Sequence, residues 1–177
     1  PVPIYSKSTA NDGPNRFGFN LTCIATDGIA LDSTNHRFYV VDSCNSRALV
    51  YGLTVGNLLS DHLADNVIGQ ANFYSKTAAA TQPGLGSNSP SGIAVDPTNN
   101  RLYITDSAQN RILVYNTSSI TNGMNAVNVL GQTTFSGIGT ATSQLGLSNP
   151  RGLSFDSTNS RLYAVDAGNN RVGAYAV

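Results

Sequence analysis

Aspartate and arginine recur five residues apart at six places in the chain, and this spacing is the first candidate for chemistry. Converging carboxylates can hold a metal ion or act as general acids and bases. The same residues can instead close turns and form ion pairs between neighbouring strands. Every repeat of the chain carries them, so we interpret them as structural pairs rather than as a metal ring. The pairs are Asp32/Arg37, Asp42/Arg47, Asp96/Arg101, Asp106/Arg111, Asp156/Arg161 and Asp166/Arg171.

The two histidines, His36 and His62, are the other possible metal ligands. His36 stands where the other repeats have Asn100 and Ser160, and His62 lies in a segment that we place at the opposite face. A metal site needs several converging ligands, and two separated histidines do not supply them. The sequence has no G-x-S-x-G, phosphate-binding or C-x-x-C motif. We therefore predict no catalytic residue, metal or cofactor in these residues.

A 24-residue segment that occurs three times without a gap, at 28–51, 92–115 and 152–175, positions these side chains. Each copy has three short runs rich in Val, Ile, Leu and Tyr, separated by turns rich in Asp and Asn. This pattern predicts a three-stranded antiparallel meander. The near-identical runs NVIGQ at 66–70 and NVLGQ at 128–132 predict a fourth strand in the first two copies. Four strands in about 60 residues, repeated, are typical of propeller blades.

The repeats resemble the NHL-repeat family of β-propellers through GIAVD at 92–96, LYITD at 102–106 and NRILVY at 110–115. The resemblance implies an all-β fold of about three four-stranded antiparallel blades, a partial propeller or half of a six-bladed ring. We predict blade 1 at 28–70, blade 2 at 92–132 and blade 3, without a fourth strand, at 152–177. Connectors are expected at 1–27, 71–91 and 133–151. Since three blades do not close a ring, further blades are expected as partners, in cis or from another copy.

The resemblance also implies that a ligand binds on the face that carries the mouth of the central channel. Asp27, Ser91 and Arg151 each precede the first glycine of a repeat, and their residue types differ between repeats. Positions that contact a ligand vary in this way, so these three are the predicted ligand-binding residues. The alternative is a rim of solvated side chains.

Charge and composition restrict the partners of the chain. The net charge is zero and 11% of the residues are charged, so the basic surface that nucleic acids require is missing. No apolar run approaches the ~20 residues of a membrane span. We expect a protein or glycan partner, no nucleic acid and no membrane span. Asn20 and Asn116 fit the N-x-[ST] glycosylation pattern.

Three functions stay open from the sequence. The first is a non-enzymatic binding or scaffold module, extracellular or on the cell surface, with a protein or glycan ligand. The second is part of a propeller lyase or hydrolase whose catalytic or metal-binding residues lie in other blades. The third is a structural protein that assembles into a ring or filament through open blade edges. A measurement of the metal content of the purified protein would test the second function. A measurement of its mass in solution at several concentrations would test the third.

Cys23 and Cys44 are the only cysteines, and we predict that they form a disulfide. Cys44 lies in the second turn of the first repeat, and Cys23 lies in the segment that enters the same repeat, so both reach one end of the predicted meander. Two separate buried thiols are the alternative. The bridge would stabilise the fold by about 3 kcal/mol and would indicate an oxidising compartment, extracellular or in the cell envelope. Ellman titration of the unfolded, unreduced chain should find no thiol, and two thiols per chain would refute the bridge.

Overall fold

The computed structural model describes residues 14–16 and 28–177. Within them the first sheet contains β1 (Ile29–Asp32), β2 (Arg37–Asp42), β3 (Arg47–Gly52) and β4 (Asn66–Ile68). The second contains β5 (Pro90–Asp96), β6 (Arg101–Asp106), β7 (Arg111–Asn116) and β8 (Asn128–Leu130). The third contains β9 (Pro150–Asp156), β10 (Arg161–Asp166) and β11 (Arg171–Ala176). Each sheet is an antiparallel meander of consecutive strands, which confirms the predicted all-β propeller architecture.

Some strand ends differ from the prediction by two residues. β5 and β9 begin before the first glycine of the repeat, at Pro90 and Pro150, because each proline pairs across a bulge with the aspartate that ends the next strand. The predicted connectors at 71–91 and 133–151 therefore end inside strands. β4 and β8 end early because Gly69 and Gly131 adopt φ values of 90° and 89°, which glycine accepts without steric cost.

Aspartate closes the turn between the first and second strands of each sheet. The Asp96 carboxylate accepts the backbone N–H groups of Thr98 at 3.0 Å and Asn99 at 3.2 Å, and the Asn99 amide donates to it at 2.8 Å. Among the described residues, the aspartates of these turns form no salt bridge with the arginines five positions on. They cap turns, as predicted, but they do not form ion pairs. The members of this set are Asp32/Arg37, Asp96/Arg101 and Asp156/Arg161.

A single 3₁₀ turn joins the second and third strands of each sheet, at Ser43–Asn45, Ser107–Gln109 and Ala167–Asn169. A left-handed residue ends each turn; in the second sheet it is Asn110, with φ of 53°. Asparagine accepts this conformation more readily than most residues. The turn places the aspartate that ends the second strand opposite the arginine that begins the third, as Asp106 lies opposite Arg111.

The sheets pack face to face, and an apolar layer fills each interface. Tyr39 and Val41 of the first sheet lie against Ile93 and Ile104 of the second, and all four are at most 5% exposed. Burying each such side chain stabilises the fold by about 1.5–3 kcal/mol. The layer between the second and third sheets repeats this arrangement with Ala94, Tyr103, Ile112, Val114, Leu162 and Ala164.

The outward faces of the first and third sheets expose apolar side chains at positions that the inner layers bury. Ile29 is 66% exposed, whereas its equivalent Ile93 is 5% exposed. Val172 is 65% exposed, whereas its equivalent Ile112 is fully buried. Contiguous apolar surface of this kind marks a site of protein contact. The outward face of the third sheet is therefore suited to packing against a further sheet. On the first sheet the exposed apolar side chains are those of Ile29 and Leu31 in β1, because Val40, Leu49 and Tyr51 on the same face are buried.

The first strands of neighbouring sheets contact one another, β1 with β5 and β5 with β9. Glycine is required where they meet. A Cβ atom on Gly28 would lie 2.9 Å from the Ser91 carbonyl oxygen, and one on Gly92 would lie 2.0 Å from the Arg151 carbonyl oxygen. A Cβ on the equivalent Gly152 would approach nothing closer than the Val165 side chain, at 3.7 Å.

We predict that Gly92→Ala lowers the free energy of unfolding by about 1–3 kcal/mol, because backbone must move to admit the methyl group. Gly152→Ala is the matched control and should change stability by less than about 0.5 kcal/mol. Urea denaturation of the two variants measures this difference. Equal losses in both variants would contradict the close approach of β5 and β9.

Candidate functional site

The connectors at 71–89 and 133–149 lie at the same end of the strands as the 3₁₀ turns, and together they form what we call the connector face. The Ser107 N–H donates to the Ser89 carbonyl at 3.2 Å, and the Gly168 N–H donates to the Ser148 carbonyl at 2.8 Å. Each connector is thus bonded to the turn of the sheet that it enters. The β1–β2 turn and the segment after β3 lie at the other end, where His36 Nδ1 is 2.8 Å from Asn57 Oδ1.

Arg111 is fully buried beneath the connector face. Its guanidinium lies 2.7 Å from the Asp106 carboxylate. It donates to the carbonyl oxygens of Gly84 at 2.9 Å and Thr81 at 3.2 Å, and also to that of Phe135. One side chain therefore joins the turn of its own sheet to the connector before it and to the connector after it.

Arg47 and Arg171 repeat this arrangement in the first and third sheets. Arg47 lies 2.7 Å from Asp42, and both side chains are fully buried. Arg171 lies 2.7 Å from Asp166, and its side chain is 33% exposed. Each arginine also donates hydrogen bonds to the backbone of a connector, so each pair links a turn to a connector. Their carbonyl acceptors are those of Asn15 and Phe73 for Arg47, and of Thr142, Ser143 and Gly146 for Arg171.

The Asp106 carboxylate is surrounded by donors. Burial raises the pKa of Asp106, while the Arg111 guanidinium, the Ser89 hydroxyl at 2.5 Å and the Gly86 N–H at 3.0 Å oppose that rise. The donors occupy both carboxylate oxygens. This group therefore serves the fold and is not positioned to receive a metal ion or a substrate.

The Asp166 carboxylate is held in a similar way. Burial acts to raise its pKa, but hydrogen bonds from the Asn169 amide and the Ser148 N–H, together with the Arg171 guanidinium, outweigh burial and lower the pKa. A carboxyl whose pKa is lowered on folding stabilises the fold above its ordinary titration range, and this stabilisation is lost as the pH falls through the lowered value.

The structure places the three predicted ligand-binding residues in different environments. Ser91 is 8% exposed, and its hydroxyl lies 3.1 Å from Thr105 Oγ1 and 2.9 Å from Ser107 Oγ. Arg151 is exposed, and its carbonyl lies at the close contact with Gly92. Asp27 lies outside the described residues. Ligand binding at these positions stays a prediction.

The other predicted sites are spread over the molecule. His62 is exposed on the segment after β3. Over 14–16 and 28–177, no group of three or more His, Cys, Asp or Glu side chains is placed to hold a metal ion. Asn116 ends β7, and its side-chain oxygen accepts the Ser118 N–H at 3.0 Å. Asn20 lies outside the described part of the chain, and glycosylation at either asparagine stays a prediction.

Cys44 is half-buried in the first 3₁₀ turn. The described part of the chain contains no free cysteine. Cys23, the predicted disulfide partner of Cys44, lies outside the described residues, and the pairing therefore stays a prediction.

Two glutamines hold the connectors, and the sequence patterns did not reveal their role. The Gln70 amide donates to the carbonyls of Ser46 at 2.9 Å and Thr77 at 3.0 Å, and its oxygen accepts the Thr77 N–H at 3.0 Å. Gln132 donates in the same way to the carbonyls of Asn110 and Gly139. From the sequence, the near-identity of NVIGQ and NVLGQ predicts a fourth strand but not that its glutamine holds a connector.

Two serine hydroxyls link neighbouring sheets. Ser43 donates to the Pro90 carbonyl and Ser107 to the Pro150 carbonyl, both at 2.5 Å. Each bond runs from the 3₁₀ turn of one sheet to the first strand of the next. The connector face is therefore bonded across sheets as well as within them.

The exposed surface of the connectors combines apolar side chains with small polar ones. Tyr74 is 73% exposed, Ile138 is 57% exposed and Leu145 is 75% exposed. Thr, Ser, Asn and Gly surround them in the sequence, and Lys76 is the one charged residue within 71–89 and 133–149. Exposed tyrosine and aliphatic side chains with few charges nearby in the sequence are a composition that the cores of protein-binding surfaces share.

The family model for the NHL repeat matches residues 88–115, which contain most of the second sheet. Over these residues the chain is similar to the NHL-repeat β-propellers. Among solved structures, a chain from a nidogen/laminin complex is similar, with 25% identity and a TM-score of 0.54 over 84% of this chain. A luciferin-regenerating enzyme is similar in fold alone, with 14% identity and a TM-score of 0.51 over 83% of this chain.

This NHL-repeat chain spans 43% of the nidogen/laminin-complex chain and 39% of the luciferin-regenerating enzyme. A comparison with curated proteins gave no match. Within the described residues, no helix has the length and apolar character that crossing a membrane requires.

We predict that Arg111→Ala lowers the free energy of unfolding by about 3–5 kcal/mol, because it leaves the buried Asp106 carboxylate without its counter-ion. Arg151→Ala removes an exposed arginine and should leave stability within about 0.5 kcal/mol of the parent chain. Matched thermal melts compare the two. Similar losses in both variants would show that the buried ion pair has no structural role.

Proposed function

We propose that this chain is a non-enzymatic binding module that holds a protein ligand on its connector face, outside the cell or at the cell surface. The observation that carries the proposal is the exposure of Tyr74 and Ile138 on connectors whose backbone is bonded to the buried arginines. The carbonyl of Phe73, next to Tyr74, accepts from Arg47 at 2.7 Å. The carbonyl of Ile138 accepts from the Asn110 amide at 2.8 Å.

Rigid presentation favours binding. A loop that is already ordered loses less conformational entropy when it meets a partner, so more of the contact energy becomes affinity. Tyrosine and aliphatic side chains that enter a partner's pocket supply the largest contributions in protein interfaces. The buried aspartates and arginines do not take part in this contact, because their polar atoms already bond one another and the connector backbone.

Two further observations support this proposal. The similar chain of known structure comes from a complex of nidogen with laminin, which agrees with a protein ligand and an extracellular location. The predicted Cys23–Cys44 bridge also favours an oxidising compartment. A glycan ligand is the alternative, since an exposed tyrosine such as Tyr74 offers a flat apolar surface for a sugar ring.

Exposed apolar side chains on β1 and on the outer face of the third sheet favour a second, compatible role. We propose that they pack against further blades, supplied in cis or by another copy, because Ile29 and Val172 occupy positions that are buried between the inner sheets. Such packing would complete a ring of blades, with the connector face on one side of it.

The binding proposal is tested by affinity capture from extracellular fluid with matched baits. Tyr74→Ser and Ile138→Ser alter the connector face, whereas Val55→Ser and Leu58→Ser alter equally exposed residues, 87% and 71%, at the opposite end. A ligand of the connector face should bind Val55→Ser and Leu58→Ser as it binds the parent chain. It should bind Tyr74→Ser and Ile138→Ser roughly tenfold or more weakly, since an anchor residue contributes about 2 kcal/mol.

The captured molecule then decides between the alternatives. A protein that keeps binding after deglycosylation supports the proposal, and binding lost with the glycan indicates the glycan ligand. Equal capture by all four variants, or a loss confined to Val55→Ser and Leu58→Ser, would contradict a binding site on the connector face.

A further inference from the structure

A loop from the second sheet covers the outer edge of β4 in the first sheet. This loop joins β7 to β8 and spans 117–127. The Asn122 side-chain oxygen accepts the Val67 N–H at 3.0 Å, and the Gly123 N–H donates to the Val67 carbonyl at 3.0 Å. Both polar backbone groups at the centre of the edge strand are therefore satisfied by two consecutive loop residues.

Apolar side chains on either side of this pair complete the contact. Ile120 and Met124 pack against the apolar layer that includes Ile68 and Leu85. Ile68 is fully buried in this layer, and Val67 is fully buried in the apolar cluster on the other face of the sheet. The loop therefore contacts the edge of β4 through the Asn122 side-chain oxygen, the Gly123 backbone N–H and two apolar side chains.

The glycine of the loop is a steric requirement. Gly123 has φ of 66°, and a Cβ atom there would lie 3.0 Å from the Ala71 Cα atom. The loop is fixed further along by reciprocal bonds, since the Ala126 N–H donates to the Gln82 carbonyl at 3.1 Å and the Gln82 amide donates to the Ala126 carbonyl at 2.8 Å.

The edge of β8 in the second sheet has the same geometry, and no loop among the described residues covers it in this way. Val129 pairs with Leu113 as Val67 pairs with Leu49, so its N–H and C=O point outward in the same way. The Val129 N–H bonds to the adjacent Asn128 side chain at 2.8 Å. Val129 and Leu130 are only half-buried, in contrast to the fully buried Val67 and Ile68.

A cavity of about 450 Å³ runs beside this edge and is lined by Val129, Leu130, Gln132, Leu145 and Tyr175 among others. The cavity at the equivalent place beside β4 measures about 230 Å³, and Gly123 of the loop forms part of its wall. The larger cavity at β8 thus has room for a loop of the kind that covers β4.

We infer that the β8 edge and its cavity are a docking site for a polypeptide loop with the chemistry of 117–127. The occupant carries an asparagine followed by glycine, with an apolar residue two positions before the asparagine and another two positions after it. The loop that covers β4 joins the third and fourth strands of the next sheet, so the occupant is a loop that joins the third and fourth strands of an NHL-type sheet. This site lies at the outer edge of the sheets and does not depend on the binding function proposed above.

A peptide with the sequence of residues 117–130 tests the site when it is added to the complete, isotopically labelled chain. Backbone amide shifts of Val129, Leu130 and Gly131 should change on titration. A peptide with the Asn122→Ala substitution should bind roughly fivefold to tenfold more weakly, since it lacks one hydrogen bond to the edge. Absence of shifts at β8 with the parent peptide at millimolar concentration would overturn the inference, as would equal binding of the two peptides.

Two exposed residues of one connector provide a matched control in the chain itself. Leu145→Ser changes the cavity wall and should weaken peptide binding several-fold, whereas Ile138→Ser lies outside the wall and should not. Weakened peptide binding in Ile138→Ser with unchanged binding in Leu145→Ser would place the peptide elsewhere and overturn the site.

Discussion

The buried ion pair between the aspartate that ends the second strand and the arginine that begins the third supports much of this structure. Removing two charges from water is costly, and their attraction compensates only when the remaining donors are also satisfied. Arg111 meets this condition, because its guanidinium bonds Asp106 and several connector carbonyls. Arginine suits this position better than lysine, since its planar group directs several donors in fixed directions.

The same pair couples local structure to the candidate site. A propeller blade needs its turns and its connectors to stay in register at one end of the sheet, although they are far apart in sequence. Arg111 and Asp106 hold the turn, the preceding connector and the following connector together. The connectors therefore present Tyr74 and Ile138 from a fixed backbone, which is the basis of the proposed binding function.

The outer edges of the sheets depend on a different device. Edge strands expose unpaired backbone groups that invite association with other chains. Asn122 and Gly123 satisfy those groups on β4 by a loop from the neighbouring sheet, so the second sheet protects the edge of the first. This relation between successive repeats also explains why the edge of β8, next to Tyr175, offers a site for a loop of the same chemistry.

Sequence by itself determined the local structure of this protein. The strands, both kinds of turn and the aspartate–arginine spacing follow from side chains that act on backbone a few residues away, as Asp96 does with Asn99. Only the tertiary structure decided which aspartates form ion pairs, that Ser91 is buried and that Asn122 bonds Val67. The bond between Asn122 and Val67 joins two repeats, and the burial of Arg111 and Ser91 depends on how the sheets and connectors pack over them. No spacing within one repeat encodes that packing. The repeat therefore predicted the fold, whereas the positions of the candidate contact residues came from the packing of one sheet against the next.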